Sequence, residues 1–208
     1  MSGTCLIVSG GEFTGACYTA DYVIACDAGY AHCQRLNMEP DLVIGDFDSL
    51  SPDVTLPANT VRHPIRKDDT DTMLAVREAL RLGYRHLIIT CAMGGRFDHT
   101  LANLQTAAFA VENGADCKLI GRGEVITCFS DSAITLEPEP KTSLSVFSLS
   151  DESLGVTING ASYELENGTL TNTFPLACSN HFLMGPVTIS VKHGMLAVVE
   201  SSMEHENN

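Results

Sequence analysis

Short apolar runs that each lead into a glycine or aspartate loop organise the first part of the chain. Four of them are Cys5-Leu-Ile-Val8, Tyr22-Val-Ile-Ala-Cys26, Leu42-Val-Ile44 and His86-Leu-Ile-Ile-Thr-Cys91. Their length and their β-branched residues are typical of buried strands, which favours a parallel sheet. The loops that follow the strands are therefore expected to gather at one edge of that sheet, where ligands bind.

The segments between these runs carry apolar residues at spacings of three and four, which predicts crossover helices. The helices are expected at 28–36, 72–82 and 100–113, with Gly83 and Gly114 as C-terminal stops of the last two. Thr70 or Asp71 is well placed to cap the second helix. This alternation predicts an α/β domain with a mainly parallel sheet over residues 1–122.

Beyond residue 122 the pattern changes to short alternating segments that are broken by proline, glycine and asparagine. Examples are 142–148, 155–158, 169–173, 187–191 and the run 196–199. Apolar and polar residues alternate strictly from Val187 to Lys192, as in a strand with one buried face. Residues 123–208 are therefore predicted to form an antiparallel β-sandwich domain.

The chain has 208 residues and a net charge of −14, which argues against nucleic acid or an anionic membrane as a partner. The charge is uneven. Residues 1–122 contain ten basic and fifteen acidic residues, whereas residues 123–208 contain two and eleven. A site for an anionic ligand is expected in the first part, where Arg62, Arg66, Lys67 and Arg96 flank acidic loops.

Several features favour a cytoplasmic location. The apolar stretches are far shorter than a bilayer span, and the first ten residues have neither a basic region nor a cleavable apolar core. None of the eight cysteines forms a Cys-x-x-Cys pair, and most lie inside apolar runs. We expect them to behave as small buried hydrophobic residues in a reducing compartment.

Two acidic loops are the strongest chemical signal. The first, 45–49, contains Asp46 and Asp48 and follows a predicted strand, and the second is Lys67-Asp-Asp-Thr-Asp-Thr72. Carboxylates packed this closely repel one another unless a cation lies between them, and oxygen donors without a His or Cys cluster suit Mg²⁺. The alternative interpretation is an ordinary turn in which Asp48 or Ser49 caps a downstream element.

A third loop, 93–104, joins a strand to a helix through Gly94 and Gly95. Glycines let the backbone approach a ligand while the helix N-terminus faces it, and Arg96 could clamp phosphate oxygens. The loop is neither a Walker A motif nor a Gly-x-Gly-x-x-Gly fingerprint. The alternative is that Arg96, Asp98 and His99 form only a capping and salt-bridge cluster at a helix start.

The segments 41–49, 68–72 and 94–103, together with the later Ser179-Asn180, resemble the thiamine pyrophosphokinase (thiamine diphosphokinase) family. Their order and spacing match over nearly the whole chain. The resemblance implies a Rossmann-like N-terminal catalytic domain, a C-terminal β-sandwich and a homodimer whose active sites lie between subunits. It also implies Mg²⁺-dependent transfer of a diphosphoryl group from ATP to thiamine, which yields AMP and thiamine diphosphate.

By this resemblance, the metal and catalytic carboxylates are Asp46, Asp48 and Asp71. Arg96 and Asp98 match the family's Gly-Arg-x-Asp element and are expected to be catalytic. ATP is expected to lie against loop residues at the strand ends, namely Gly10, Asp27, Gly29, Lys67, Thr70, Gly95 and Arg96. Asp71 or Asp98 could accept the hydroxyl proton, but a carboxylate bound to metal is a weak base, so no single general base is assigned.

The acceptor site is expected in the second domain. Ser179 and Asn180 match the family motif near the thiamine pyrimidine. Some members carry a tryptophan shortly after this pair, but the chain has no tryptophan, so Phe182 is the expected stacking residue. The alternative for Phe182 is packing in the core of the β-domain.

Three other functions remain open from the sequence. A metal-dependent nucleotide or phosphate-ester hydrolase could use the same carboxylates with water as the acceptor. A pyrophosphokinase for a pterin alcohol could use the same diphosphoryl machinery. A regulator would bind thiamine or a nucleotide tightly without turnover.

Overall fold

The apolar runs of the first part of the chain form parallel strands. The computed structural model describes residues 3–47, 56–62 and 69–203, in two compact units, Met1–Arg122 and Gly123–Asn208. The described strands of the first unit are β1 (Thr4–Val8), β2 (Tyr22–Cys26), β3 (Leu42–Gly45), β4 (Thr60–Arg62), β5 (His86–Thr90) and β6 (Asp116–Ile120). They pair in parallel in the order β4-β3-β2-β1-β5-β6. The strand order reverses between β1 and β5, and such a switch point opens a crevice for a ligand.

Three helices cross over between these strands, namely α1 (Gly29–Arg35), α2 (Asp71–Arg81) and α3 (Phe97–Glu112). On α2 the buried residues are Thr72, Ala75, Val76 and Ala79. The predicted apolar face is thus confirmed in part: Val76 and Ala79 are buried, whereas its other members are half-buried, namely Met73, Leu74, Leu80 and Leu82. The Thr70 hydroxyl caps α2 by accepting from the Met73 backbone N–H at 3.1 Å. The cap is thus Thr70, and Asp71 is the first helical residue. Gly83 and Gly114 follow the ends of α2 and α3 at positive φ.

Helix α3 begins at Phe97, three residues before the predicted start at Thr100. Its N-cap residue, Arg96, has an extended backbone and makes no side-chain cap hydrogen bond. Phe97 is 78% exposed, so it does not contribute to the apolar face from which the helix was predicted. The charged loop sequence after Gly95 is therefore the first turn of the helix.

The core of the first unit lies on the central strands. Every residue of β3, and all but the first of β1, is buried, as expected for a sheet covered on both faces. One cluster joins strand residues Leu6, Val8, Ala25 and Val43 to Cys33 of α1 and to Phe47. Burial of this surface fixes the strand ends from which the loops emerge.

The second unit is a β-sandwich. Its described strands are β7 (Glu124–Ser130), β8 (Ala133–Leu136), β9 (Thr142–Ser148), β10 (Glu152–Asn159), β11 (Leu165–Thr171), β12 (Ala177–His181), β13 (Val187–Ser190) and β14 (Met195–Ser202). They form antiparallel sheets in the orders β12-β9-β14-β7 and β11-β10-β13-β8. Both sheets contribute to one core that includes Leu144, Ile158, Ile189 and Leu196. The predicted fold class, a mainly parallel α/β domain followed by an antiparallel β-sandwich, is confirmed.

Five of the described strands were not predicted, namely β4, β6, β7, β8 and β12. Of these, β4, β8 and β12 are edge strands. They bury one residue or none, with patterns that range from exposed to half-buried. An edge strand needs little apolar surface, because it pairs on one side only. Hydrophobic periodicity therefore carries little signal there.

Two further observations concern the cysteines and the helices. All eight cysteines are free thiols, and those predicted to be buried, Cys5, Cys26, Cys91, Cys117 and Cys128, are buried. Burial raises the pKa of the Cys5 thiol to about 12, so it stays protonated and inert. Within the described ranges, no helix is both long and apolar enough to cross a bilayer. The cytoplasmic location stays a prediction.

Candidate active site

A cavity of about 820 Å³ lies at the carboxyl ends of the central strands of the first unit. Its wall comes from segments 9–12 after β1, 26–28 after β2 and 70–72 at the start of α2. Residues 92 and 94–96 between β5 and α3 complete it, together with His99, Ala102 and Asn103 of α3. The volume suits a nucleotide-sized ligand. The N-termini of α2 and α3 contribute to the wall, and helix N-termini favour anions such as phosphate.

The structure gathers around this cavity most of the described residues that were predicted to bind ATP, together with Asp71, which was predicted to bind the metal. Those that line it are Gly10, Asp27, Thr70, Asp71, Gly95 and Arg96. Gly29, Asp46 and Asp98 are not part of the wall. Asp48 and Lys67 lie outside the described residues, so their predicted roles are not addressed by the structure.

Asp27 connects the ends of β2 and β3. Its Oδ1 accepts a hydrogen bond from the backbone N–H of Phe47 at 3.1 Å. Burial raises the pKa of the Asp27 carboxyl, and the charges of Asp71 and Asp46 raise it further. Three carboxylates therefore lie close enough to interact in this part of the site.

The backbone at these strand ends is strained. Asp27, Phe47 and Cys91, which follow β2, β3 and β5, have φ values of 42°, 63° and 53°. Non-glycine residues rarely adopt positive φ, and such strain clusters at functional sites. Three separate loops at the same sheet edge share this feature.

The donor chemistry at the acidic loops fits a hard divalent cation. Asp46 and Asp71 offer only carboxylate oxygens, the ligand type that Mg²⁺ prefers, and their charges reach a common neighbour, Asp27. In the described ranges, however, no three His, Cys, Asp or Glu residues are already arranged to hold a metal ion.

The loops after β1 and β5 are joined by backbone hydrogen bonds. Ser9 donates to the Thr90 carbonyl at 3.0 Å, and Gly11 donates to the Cys91 carbonyl at 2.9 Å. A Cβ atom on Gly11 would lie 2.4 Å from the Cys91 carbonyl oxygen, so this close approach requires glycine. The two glycine loops consequently form one continuous part of the cavity wall.

Gly29 has a different environment from the one predicted. It is the first residue of α1, it is buried, and a Cβ atom there would lie 2.0 Å from the Val8 carbonyl oxygen. Glycine is required because the helix packs directly on the end of β1. The structure gives Gly29 a packing role behind the cavity wall.

Arg96 and Asp98 are paired with each other. The Arg96 guanidinium donates to both carboxylate oxygens of Asp98, at 3.1 and 2.6 Å, and the two side chains are 72% and 64% exposed. Hydrogen bonds from Arg96 lower the pKa of the Asp98 carboxyl. The predicted salt bridge at the start of α3 is thus present, and Arg96 also lines the cavity.

In the second unit, Ser179 and Asn180 lie in β12 at an irregularity in its pairing with β9. Asn180 is only 3% exposed, and its amide donates to the Tyr163 carbonyl at 2.7 Å and accepts from the Tyr163 N–H at 2.9 Å. Ser179 is exposed and has a φ of 59°. Phe182 is partly buried and packs against the sandwich core. The three predicted acceptor residues therefore have three different environments.

Comparison with known proteins identifies the family. A family model described as the catalytic domain of thiamin pyrophosphokinase matches residues 14–119, just over half of the chain. The chain belongs to the thiamine pyrophosphokinase family. A second family model, the vitamin B1 binding domain of thiamin pyrophosphokinase, matches residues 132–196.

Individual relatives agree with this family. A thiamine pyrophosphokinase from Bacillus subtilis (strain 168) is 29% identical over 211 residues, which cover 94% of this chain and 97% of that protein. The crystal structure of thiamine pyrophosphokinase from Bacillus subtilis has a TM-score of 0.85 at 28% identity and covers 96% of this chain and 99% of its own. A thiamin pyrophosphokinase family protein from Enterococcus faecalis has a TM-score of 0.79 at 28% identity, with coverage of 98% and 100%. The resemblance seen in the sequence is confirmed, and none of these matches supports a hydrolase or a pterin pyrophosphokinase.

Two buried contacts that position the site were not predicted. The Ser9 and Thr72 hydroxyls are hydrogen-bonded at 2.9 Å and tie the loop after β1 to α2. The Asn103 side chain donates to the Ala92 carbonyl at 2.7 Å and ties α3 to the loop after β5. Thr72 and Asn103 lie within or beside the motifs that carried the family resemblance, but no sequence pattern indicates their partners.

Proposed function

We propose that this chain is an ATP-dependent diphosphotransferase that converts thiamine and ATP into thiamine diphosphate and AMP. The observation that carries the proposal is the match of the catalytic-domain family model to the unit that contains the acid- and glycine-lined cavity. The vitamin B1 binding model falls on the other unit and supplies the identity of the acceptor. The free, mostly buried thiols support a reducing, cytoplasmic location.

The reaction joins the hydroxyl oxygen of thiamine to the β-phosphorus of ATP. The bond between that phosphorus and the α,β-bridging oxygen breaks, and AMP leaves with the bridging oxygen. The hydroxyl proton is released to a base, for which no single residue is assigned. Since no covalent enzyme intermediate is required, the protein acts by positioning the reactants and by neutralising charge.

The glycine loops are proposed to hold the phosphates. Gly10 and Gly95 lie in the cavity wall, where a backbone without side chains can approach phosphate oxygens. Thr70 and Asp71 begin α2 beside them, so the partial positive charge of the helix start faces the same cavity. We propose the same phosphate-binding role for Lys67, which lies next to this segment in the sequence.

We propose that Asp46, Asp48 and Asp71 hold Mg²⁺ together with phosphate oxygens of ATP. The metal would supply neutralisation of the phosphate charge. Burial raises the pKa of the Asp27 carboxyl, and the like charges of Asp71 and Asp46 raise it further. Asp27 is then best placed to orient the loop ends through its bond to Phe47.

We propose that Arg96 exchanges Asp98 for phosphate when ATP binds. The pair is exposed, and exposed ion pairs contribute little stability, so the exchange is inexpensive. The planar guanidinium can hold two phosphate oxygens in the geometry in which it now holds the two oxygens of Asp98. Asp98 would then be the residue that keeps Arg96 extended at the start of α3.

For the acceptor, we propose that Ser179 and Phe182 contact thiamine and that Asn180 shapes the surface on which they lie. Asn180 uses both ends of its amide on the Tyr163 backbone, which links β12 to the segment before β11. Ser179 is exposed beside it and can form a hydrogen bond with a ligand. The exposed part of the Phe182 ring offers a stacking face.

The experiment that tests this function is incubation of the purified protein with ATP, Mg²⁺ and thiamine. Equimolar AMP and thiamine diphosphate are expected. Phosphate or pyrophosphate release without thiamine would instead identify a hydrolase, and turnover only with a pterin alcohol would identify the related pyrophosphokinase. Tight binding of thiamine or nucleotide without any product would identify a regulator.

We also propose that the protein is a homodimer in which each active site combines the first unit of one subunit with the second unit of its partner. Two defective variants then complement each other, namely Asp71→Asn, which has lost turnover, and the double variant with Ser179→Ala and Phe182→Ala, which has a raised KM for thiamine. After random subunit exchange about half of the dimers are mixed, and each of these holds one intact site. If activity stays at the level of the separate variants after subunit exchange is demonstrated by mass spectrometry, the proposal of an active site shared between subunits is wrong.

A further inference from the structure

His32 of α1 is bonded to the glycine loop after β1. Its ring Nε2 lies 2.9 Å from the carbonyl oxygen of Gly11. Because a carbonyl can only accept, Nε2 must carry the proton and donate it. The other ring nitrogen, Nδ1, is buried and has no hydrogen-bond partner among the described residues. Neither the predicted motifs nor the reaction described above uses this histidine.

Both backbone groups of Gly11 are hydrogen-bonded. Its N–H donates to the Cys91 carbonyl beyond β5, and its own carbonyl accepts from His32. The next residue, Glu12, donates to the Met93 carbonyl at 3.2 Å. The hydrogen bonds to the segment after β5 fix the loop along one side, and His32 is the side-chain contact that fixes it toward α1.

The His32 ring is itself braced by the chain that follows the loop. The Phe13 ring lies 5.3 Å from the His32 ring, measured between centroids. The guanidinium carbon of Arg35 lies 3.6 Å from the centre of the Phe13 ring. His32 and Arg35 are three residues apart, so both lie on one face of α1. Helix α1 therefore contacts the loop at two points, through His32 at the Gly11 carbonyl and through Arg35 at the Phe13 ring.

We propose that His32 is a positioning residue for ATP, which sets the course of the Gly10–Gly11 backbone along the cavity by holding the Gly11 carbonyl. The proposal rests on the proposed function for the identity of the ligand. It follows from geometry, since Gly10 and Gly11 line the cavity and His32 does not. His32 thus acts through the loop and does not touch the nucleotide.

Two variants separate the effect of the His32 hydrogen-bond donor from the effect of its ring shape. His32→Phe keeps an aromatic ring against Phe13 but removes the donor, whereas His32→Gln places an amide N–H near the position of Nε2. The control is His86→Gln, which changes an exposed histidine paired with Asp116 at the opposite end of β5. Steady-state constants for ATP and thiamine, the ATP dissociation constant from calorimetry and the melting temperature are measured for all three.

For His32→Phe we expect about a tenfold rise in KM for ATP and in the ATP dissociation constant, the size expected for one hydrogen bond. The KM for thiamine should stay within about twofold of the unchanged protein, because the second substrate does not use the loop. His32→Gln should recover the ATP constants to within about threefold, and His86→Gln should match the unchanged protein. A purely structural role would lower the melting temperature without this separation between substrates.

Unchanged ATP constants in His32→Phe would overturn the proposal, as would equal defects in His32→Phe and His32→Gln. If His32→Phe does not fold, His32→Gln is compared with His32→Asn, whose shorter amide cannot reach Gly11, and equal ATP constants in these two would also overturn it. If the unchanged protein binds ATP but forms no thiamine diphosphate, the proposed function fails while the calorimetric constants still decide the role of His32. An unchanged protein that does not bind ATP would contradict both.

Discussion

In the first unit, three separate segments supply Gly10, Asp27 and Asp71, and all three residues line one cavity. In the second unit, Ser179, Asn180 and Phe182 are nearly consecutive in the sequence, yet their environments differ. The difference follows from strand geometry. Parallel strands end at the same sheet edge, so their loops converge even when they are far apart in sequence. In the second unit, the positive φ of Ser179 and the irregular pairing of β12 interrupt the strand, so adjacent residues have different surroundings.

In this chain, position relative to a strand end indicates which residues lie around one cavity better than proximity in a motif does. Ser179 and Asn180 stand side by side in the sequence, but only Ser179 is exposed. Asn180 is buried and bound to the Tyr163 backbone. The following variants test whether the first unit carries the catalytic residues. They also test whether, in the second unit, Asn180 stabilises the fold while its neighbours bind the acceptor.

The largest effect is expected for Asp71→Asn, which removes a negative charge from the cavity. We expect turnover to fall by about a thousandfold or more, the range seen when a major electrostatic contribution is lost. The melting temperature should stay unchanged or rise slightly, because repulsion with Asp27 is relieved. Turnover is measured across a Mg²⁺ titration beside thermal unfolding.

The matched control for Asp71→Asn is Asp69→Asn, two residues earlier. Asp69 pairs with Arg77 of α2 and does not line the cavity. Its variant should keep nearly normal turnover. Near-normal turnover of Asp71→Asn at ordinary Mg²⁺ would show that the acidic loop is not the metal site, and a large drop in its melting temperature would indicate a capping role.

The next largest effect is expected for Asn180→Ala, and it should be on stability. The change leaves the N–H and carbonyl of Tyr163 without their side-chain partner, which costs about 2–3 kcal/mol of unfolding free energy. The control Ser179→Ala alters an exposed side chain and should stay within about 0.5 kcal/mol. Denaturant unfolding measures both. A stable Asn180→Ala protein with a raised KM for thiamine would assign Asn180 to ligand binding instead.

Arg96→Lys tests whether the fork seen on Asp98 serves phosphate. Lysine keeps the charge but loses the planar pair of donors, so we expect turnover to fall by about thirtyfold, more than ATP affinity falls. Asp98→Asn, which frees Arg96 without removing it, should have a smaller effect on ATP affinity. Turnover and ATP dissociation constants are measured for both. An unchanged turnover number in Arg96→Lys would show that the guanidinium serves only the salt bridge at the start of α3.

The smallest effect is expected for Phe182→Leu, which keeps apolar contact with the sandwich core but removes the aromatic face. Loss of one stacking contact should raise the KM for thiamine about fivefold and leave the KM for ATP unchanged. The melting temperature separates this result from the packing alternative. A loss of stability with an unchanged KM for thiamine would mean that Phe182 only fills the core.

Much of the fold follows from local patterns. The strand 22–26 and the strand 142–148 have the predicted bounds, because each combines an apolar or alternating run with clear breaks on either side. Thr70 and Gly83 mark the ends of α2 through their own backbone preferences. The start of α3 was misplaced, since exposed Phe97 and its charged neighbours have no apolar periodicity.

The sequence by itself determined most of the buried strands and showed that aspartates and glycines follow them, and this is sufficient to predict a ligand cavity at the sheet edge. Tertiary structure alone decided that Gly29 packs on Val8 and that His32 holds Gly11. The physical reason is the range of the contacts. Strand and helix signals arise within a few residues, whereas His32 and Gly11 are 21 residues apart in the chain. Ser9 and Thr72 are separated by 63 residues and meet only because β1 and α2 pack side by side.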